Sequence, residues 1–510
     1  HFYGKPIASA EAFTGSRYYH CFADQKNSAD YAYAFGVNEF VLCASAYQPW
    51  IDKYPGSTAG GKHYCLNRNN TYWEYSRPFW DYQARCSALM RKGVPVVDIC
   101  VYLGQNPPVK LVTYRLPEIP EGYDFDVCTA EALVGRTMAV DGRLTLPTGI
   151  SYSLLVIQRN NDMPLHVLRH IAGLVKGGVI VCGPRPDGSD SLKDKAESEE
   201  YRALVDELWG ELTTVSQIRK VGKGKIYENI PLSEVLKYEN IRPDIAIKSG
   251  NTAKDKVYFV HRRLSDADVY FLNNHSDRAF HDTVRLRTDA RQAEYWDAVT
   301  GQRYMIPVKA SGEKGMLLNL TLAPRESGFI VTSNNQATGL LPRIADVQET
   351  ITPIEGSWNV YFDPRWGGPG KVVFDELIDW TVHADTGIRY YSGTAVYHKE
   401  LNLAMPAQNE RLLLRFPRLG SLARVWVNGK EVVTVWCSPW EADITSYVHE
   451  GKNNLKIEVV NSLMNRMIGD ASLPESERFT YAYPQIATPT DKLVPSGIME
   501  QLNLVYRQCQ

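Results

Sequence analysis

The rhythm of apolar residues changes near position 250, and this change restricts the folds open to the chain more than any other feature. Before it, continuous apolar runs (FVLCA at 40–44, VPVVDICVYL at 94–103, SLLVIQ at 153–158, VIVC at 179–182) are separated by helical stretches. Such runs are buried on both faces, as parallel strands are when helices cover a sheet. After it, short alternating strands follow one another: KVYFVHRR, DVYFLNN, MLLNLTL and SGFIVTS, then, beyond residue 350, GTAVYHKELNL, RLLLRFPRL, ARVWVNGKEVVTVW and NNLKIEVVNS. Alternation with turn residues between the runs is the pattern of all-β modules. In the last set Asn428-Gly429 supplies the two positive-φ positions of a type I′ hairpin turn. A chain of 510 residues exceeds the roughly 250–300 that one core supports, so the expectation is a multidomain protein, α/β first and all-β after.

Within the first part, residues 5–13 read as a strand, a helix ends at Gly36, and Phe40–Ala44 is a second strand. Arg77–Lys92 reads as an amphipathic helix, with Ser76 placed to cap it, Pro78 in its first turn, Gly93 closing it, and Phe79, Tyr82, Cys86, Leu89 and Met90 along one side. Val94–Leu103 follows as a buried strand. Strand, helix, strand, loop, helix, strand is what the last three strands of a (β/α)8 barrel give, and the other five strands are expected upstream of His1. From 121 to 245 the alternation continues as a Rossmann- or flavodoxin-like α/β domain. It carries no phosphate-cradling glycine signature, because GGVIVCGPRPDGS lacks GxGxxG between strand and helix, and Cys182 reads as a buried strand cysteine. The expected units are 1–120, 121–245, 246–345 and 346–510.

Composition narrows the partners. A net charge of −2 provides no field for nucleic acid or anionic membranes, and no run of 18 apolar residues suggests a membrane span. The nine cysteines are scattered without CxxC spacing, so neither a zinc site nor a disulfide framework is indicated. The 30 Tyr and 11 Trp suit stacking on sugars. The loop Gln48–Tyr75 is too long for a plain connection, and with Tyr47 before it offers Gln48, Trp50, Asn67, Arg68 and Trp73 as substrate-binding side chains.

KPIASAEAFTG, GVNEFVLCASAYQPW, the NRNNTYWE loop and FWDYQARCSALMRKG resemble the C-terminal barrel half of glycoside hydrolase family 106. DGRLTLPTGISYSLLVIQ and HRR…DVYFLNN…YWDAVTG are similar to the two units that follow there. The run from GTAVYHKELNL to SPWEADITSYVHEGKNNLKIEVVNSLMNRMIGD resembles the galactose-binding-like jelly roll of families 2 and 106. The resemblance implies inverting, exo-acting hydrolysis of terminal α-L-rhamnosides, a carbohydrate substrate, calcium near the sugar with no ligands named, and export of the complete protein. Two other readings stay open: a non-catalytic carbohydrate-binding scaffold with a degenerate barrel, and a family 2 β-galactosidase-like hydrolase.

Glycoside hydrolysis needs two carboxyls flanking the scissile bond, and barrel enzymes mount them at the C-terminal ends of strands. Glu11, at the end of IASA and between two alanines, is the first candidate. Glu74 is the second, with an N-terminal helix cap as its competing role. Glu39 precedes FVLC, about 13 Å from the mouth, and reads as a salt-bridging or capping residue. Many relatives resemble FVLHxxxHQPW, where this chain has Cys43 and Tyr47, neither of which can serve as an imidazole acid or base. His20 and His63 read as loop histidines. Trp358, Trp366, Trp436 and Trp440 are divided between core and sugar stacking, at least half being expected in the core.

Overall fold

The computed structural model describes residues 1–43, 45–58, 66–104, 116–158, 163–189, 191, 198–212, 214–250, 256–335, 339–343 and 348–508. It is a multidomain, mixed α/β protein rich in β-sheet. At the start, β1 (Ser9–Ala12) and β2 (Glu39–Leu42) form a two-stranded parallel sheet in which Glu11 lies opposite Val41. Helices α1 (Phe22–Tyr33) and α2 (Arg77–Met90) pack beside it.

The apolar run 94–103 does not supply a third strand to this sheet. It divides at Asp98, which is buried, accepts the Ser153 N–H on its backbone carbonyl at 2.7 Å, and takes the Arg287 guanidinium on its carboxylate at 2.6 Å. Val94–Pro95 pairs antiparallel with Val257–Arg263, in the seven-stranded sheet. Ile99–Tyr102 lies between Leu154–Ile157 and Phe125–Cys128, parallel to both. Uninterrupted hydrophobicity marks a strand buried on both faces but carries nothing about which sheet it enters.

The sheet containing Ile99–Tyr102 has six strands, five of them parallel, with Gln217–Val221 antiparallel at one edge. Period-two alternation sends its side chains to two cores. Cys100, Tyr102, Leu155 and Val181 meet the helices Ala130–Arg136, Leu165–Lys176 and Ser198–Leu208, while Ile99, Val101, Leu154 and Val156 meet Leu232–Tyr238. Two pairs of facing sheets follow. A four-stranded sheet covers the seven-stranded one across Tyr270, Leu272, Val284 and Leu318. Beyond residue 348 a second four-stranded sheet faces a six-stranded sheet across Val360, Ala395, Val425 and Ile457. Asn428 and Gly429 have φ of 51° and 78°, as a type I′ turn requires.

A buried ionic junction ties the α/β sheet to the pair of sheets after it. The His261 imidazole lies 3.0 Å from Asp244 Oδ1 on one side and 3.0 Å from Asp268 Oδ1 on the other, and stacks on Tyr270. Arg287 joins Asp244 to Asp98, and Arg263 contacts Asp268. Burial disfavours the imidazolium, but the two carboxylates outweigh it and raise the His261 pKa above its usual value. Burial also works against the Asp268 carboxylate, yet its hydrogen bond to His261 helps draw its pKa down to about 2.

The pH dependence follows in sign. Stability from the raised His261 is fully present below the unfolded value of about 6.5 and is lost as pH rises through the higher folded value. Stability from Asp268 is present above about 3.9 and is lost as pH falls towards about 2. His261→Gln leaves buried carboxylates short of a partner and is expected to cost about 3 kcal/mol. Thermal melts across pH 4–9 should show the alkaline fall in wild type and its flattening in the variant, and identical pH profiles would contradict the assignment.

Candidate active site

Because β1 and β2 are parallel, the segments after Ala12 and after Leu42 leave from the same end of the sheet. Glu11 is exposed there, and its Oε1 accepts a hydrogen bond from the Thr14 hydroxyl at 2.5 Å. The turn that brings Thr14 back to Glu11 passes through Phe13 at φ 65°, an uncommon conformation for a bulky residue. It is held by Phe13 packing on Phe40 and Phe79, and by the Ser16 N–H donating to the Phe13 carbonyl. At the opposite end of β2, Glu39 forms an ion pair with Arg91 at 2.8 Å, the role expected from its position.

The two departing segments are both seated on the last unit. Tyr18 from the first, and Ala46 and Tyr54 from the second, share an apolar cluster with Met464, Met467, Ile486 and Trp366. Pro55–Ser57 then pairs, in parallel, with Tyr481–Tyr483, more than 400 residues away in the chain. Gln48 is buried and clamps this segment: its amide N–H donates to the Ser57 carbonyl at 2.7 Å and its carbonyl accepts the Ser57 N–H at 2.9 Å. Arg68 donates to the carbonyls of Gln48 and Trp50 at 3.2 and 3.4 Å. Asn67 accepts the Asn69 N–H, and the Asn69 amide donates to the Lys53 carbonyl, both at 2.9 Å.

The resulting surface is aromatic and cationic. Trp50 meets Tyr481 edge-on at 5.1 Å, and the Lys53 ammonium lies 5.3 Å from the Trp50 ring and 4.2 Å from the Tyr481 ring. Tyr47 and Tyr483 stand exposed, and Tyr54 meets Trp366 at 5.3 Å. Gln48, Trp50, Asn67 and Arg68 are thus brought together. Trp73 and Glu74 are not among them: they lie in a 3-10 helix whose Glu74 carbonyl accepts from Arg424 of the last unit, while the Arg424 guanidinium covers Tyr75. Both side chains are exposed, and among the described residues no hydrogen bond or ion pair joins Glu74 to Glu11. His20 accepts the Arg17 N–H as a loop histidine would, and His63 lies outside the described residues. Trp358 and Trp436 are buried, and Trp366 and Trp440 pack partly buried at the edge of apolar clusters.

Lys53, Thr14, Tyr481 and Tyr483 went unnoticed in the sequence. The aromatic pair Tyr481-Ala482-Tyr483 carries a signal in its composition, but no spacing rule connects it to Trp50 across the chain.

An exposed carboxyl at the end of a parallel strand, together with an aromatic surface built partly by a jelly-roll-like unit, is an arrangement suited to a carbohydrate-active protein. Comparison with known proteins makes this specific. The profile of glycoside hydrolase family 106, described as alpha-L-rhamnosidase, matches residues 1–309, and that of the family 2 glycosyl hydrolase sugar binding domain matches residues 345–506. A solved rhamnosidase from Novosphingobium sp. PP1Y is 28% identical, with a TM-score of 0.89 over 99% of this chain and 48% of that one. A putative beta-glucuronidase from Formosa agariphila is 23% identical over 93% of this chain and 59% of its own length. The chain belongs to glycoside hydrolase family 106, and it spans about half the length of these two relatives.

Gly56, at φ 76°, is what lets Gln48 close on the Pro55–Ser57 segment, since a Cβ there would come within 2.4 Å of Gln48 Oε1. Gly56→Ala is expected to cost about 1–3 kcal/mol and to loosen Trp50. The checks are a lowered melting temperature and a red-shifted, more quenchable tryptophan emission. An unchanged melting temperature and spectrum would mean the clamp does not order this segment.

Proposed function

We propose that this chain forms part of an exo-acting, inverting glycoside hydrolase that removes terminal α-L-rhamnose, with Glu11 as a catalytic carboxyl and the surface around Trp50 as its sugar-binding wall. The observation that carries the reading is Glu11, exposed at the C-terminal end of a parallel strand in a chain of the α-L-rhamnosidase family. We take β1, β2, α1 and α2 as part of a (β/α)8 barrel and the six-stranded sheet after it as a Rossmann-like domain. The parallel β1–β2 register and the exposure of Val41 and Leu42 support the first of these. The five parallel strands with helices on both faces support the second.

In such a reaction one carboxylic acid protonates the departing glycosidic oxygen while a second carboxylate takes a proton from water attacking the opposite face of the ring. The Thr14 hydroxyl, donating to Glu11 Oε1, fixes the orientation of one carboxyl oxygen and leaves the other for the substrate. Trp50, with Tyr47, supplies flat apolar surface for the sugar, and Asn67 and Arg68 hold that surface in place. Glu74 is this chain's other candidate carboxyl, with Trp73 beside it.

Calcium fits less readily. It requires six to eight oxygen ligands, no group of three or more His, Cys, Asp or Glu side chains among the described residues is arranged to hold a metal ion, and the carbonyl oxygens of Gln48 and Asn67 already accept backbone N–H groups. No step is therefore routed through a cation. Among the described residues no helix is long and apolar enough to cross a membrane, and a polysaccharide substrate, too large to enter a cell, supports export of the complete protein.

One observation favours a second substrate. The relative from Formosa agariphila is named a putative beta-glucuronidase, and a uronate would need a fixed cation beside the sugar, which Lys53 over Trp50 could provide. Assay of the complete protein separates the readings. Glu11→Gln should lower kcat/KM for an aryl α-L-rhamnoside about a hundredfold, about 2.7 kcal/mol of transition-state stabilisation. An equal loss in Glu74→Gln would make it the partner carboxyl. Turnover of an aryl β-glucuronide alone would select the second substrate, and wild-type turnover by a folded Glu11→Gln variant would end the assignment of Glu11.

A further inference from the structure

The outer face of the six-stranded sheet in the last unit carries a polar row that no part of the proposed reaction uses. Strand pairing places Asn359 opposite His398, His398 opposite Lys456, and Lys456 opposite Trp426. Four adjacent strands thus present amide, imidazole, ammonium and indole in one line, about 14 Å long at the usual inter-strand spacing. One step along the strands, Glu400 lies opposite Asn454. These six side chains line a cavity of about 530 Å³.

Three features indicate what would fill it. The Trp426 indole N–H is buried and has no hydrogen-bond partner among the described residues, and a buried donor left unpaired is costly unless something accepts from it. A bulge in the pairing with the neighbouring strand, between Val425 and Trp426, is the kind of irregularity that re-aims a side chain. The charge is balanced: Lys456 lies 2.9 Å from Glu458 and 4.1 Å from the Trp426 ring, Glu400 is paired with Lys452, and burial and Lys456 keep the His398 pKa below its usual value, so the imidazole is neutral near pH 7. The available groups are therefore neutral donors and acceptors beside an aromatic edge. This suits a hydroxyl-rich, uncharged molecule. A phosphate or a uronate would find Lys456 already paired with Glu458, and Lys399, which also lines the cavity, held by the Gly356 and Ser357 carbonyls.

We propose that this face binds a neutral polysaccharide chain laid across the four strands, at a site separate from Glu11, with Trp426 Nε1–H and the Asn359 and Asn454 amides contacting its hydroxyls. The proposal rests on the reading that the protein acts on polysaccharide, and it gives residues to a unit matched only as a sugar binding domain.

The test is affinity electrophoresis of the 510-residue chain in native gels containing xyloglucan, galactomannan or rhamnan, with polygalacturonate as the acidic comparison. Retardation by at least one neutral polymer is expected, with a tenfold or larger rise in dissociation constant for Trp426→Phe, which keeps the ring and removes the donor. Asn359→Ala and Asn454→Ala alter exposed side chains and should weaken binding while melting as wild type, so the idea does not depend on the tryptophan variant folding. Retardation by none of the neutral polymers, by polygalacturonate alone, or equally in wild type and all three variants would overturn it. The assay involves no turnover, so its failure leaves the hydrolytic reading standing, and loss of hydrolysis at Glu11 leaves this binding unaffected.

Discussion

The packing of Phe79 and Tyr82 on α2 against Trp436 is the contact on which the arrangement of the candidate site depends. The ring centroids lie 5.7 and 5.9 Å from that of Trp436, which belongs to the last unit of the chain. The same cluster takes in Val260, Val269, Phe271, Phe329 and Val331 from the seven-stranded sheet, and Leu422 and Val460 from the last unit. The segment that carries Glu11 thus shares a core with the two β-units that follow it in the chain.

Polar groups specify the interface that apolar packing stabilises. The Lys26 ammonium is buried against Asp30 at 2.7 Å and Ser327 at 2.8 Å, and Tyr82 donates to the same Asp30 and contacts Ser327. Burial works against the charged lysine, and the adjacent Asp30 carboxylate holds its pKa above the ordinary value. A buried pair of this kind adds little net stability. Its partners do fix how α1 and α2 sit on the strand Ser327–Ser333, because any other register would strand a charge. The His261 junction does for the α/β sheet what Lys26 does for α1.

The aromatic surface around Trp50 is likewise a product of assembly. Trp50 and Lys53 belong to a segment with little regular structure of its own. It is ordered by the Gln48 clamp, by the pairing of Pro55–Ser57 with Tyr481–Tyr483, and by the cluster around Met464 and Ile486. The last unit thus supplies one wall of the candidate site through Tyr481, and the outer face of its six-stranded sheet carries the polar row ending at Trp426.

Local signals in the sequence were sufficient for several of these features. Pro78 and the apolar stripe marked α2, the small residues around Glu11 marked a strand end, Asn428-Gly429 marked a hairpin, and the long run of family motifs marked a glycoside hydrolase. Each depends on residues within a few positions of one another, or on a pattern kept along a stretch of chain, so it can be read without knowing the fold. The tertiary structure alone decided that the run 94–103 splits between two sheets at Asp98, that Gln48 is a structural clamp, and that the Glu74 backbone carbonyl accepts from Arg424. It also decided that Trp50 meets Tyr481. These are contacts between residues tens to hundreds of positions apart, set by which surfaces can bury one another and by where a buried charge finds its partner, and no local propensity encodes such a pairing.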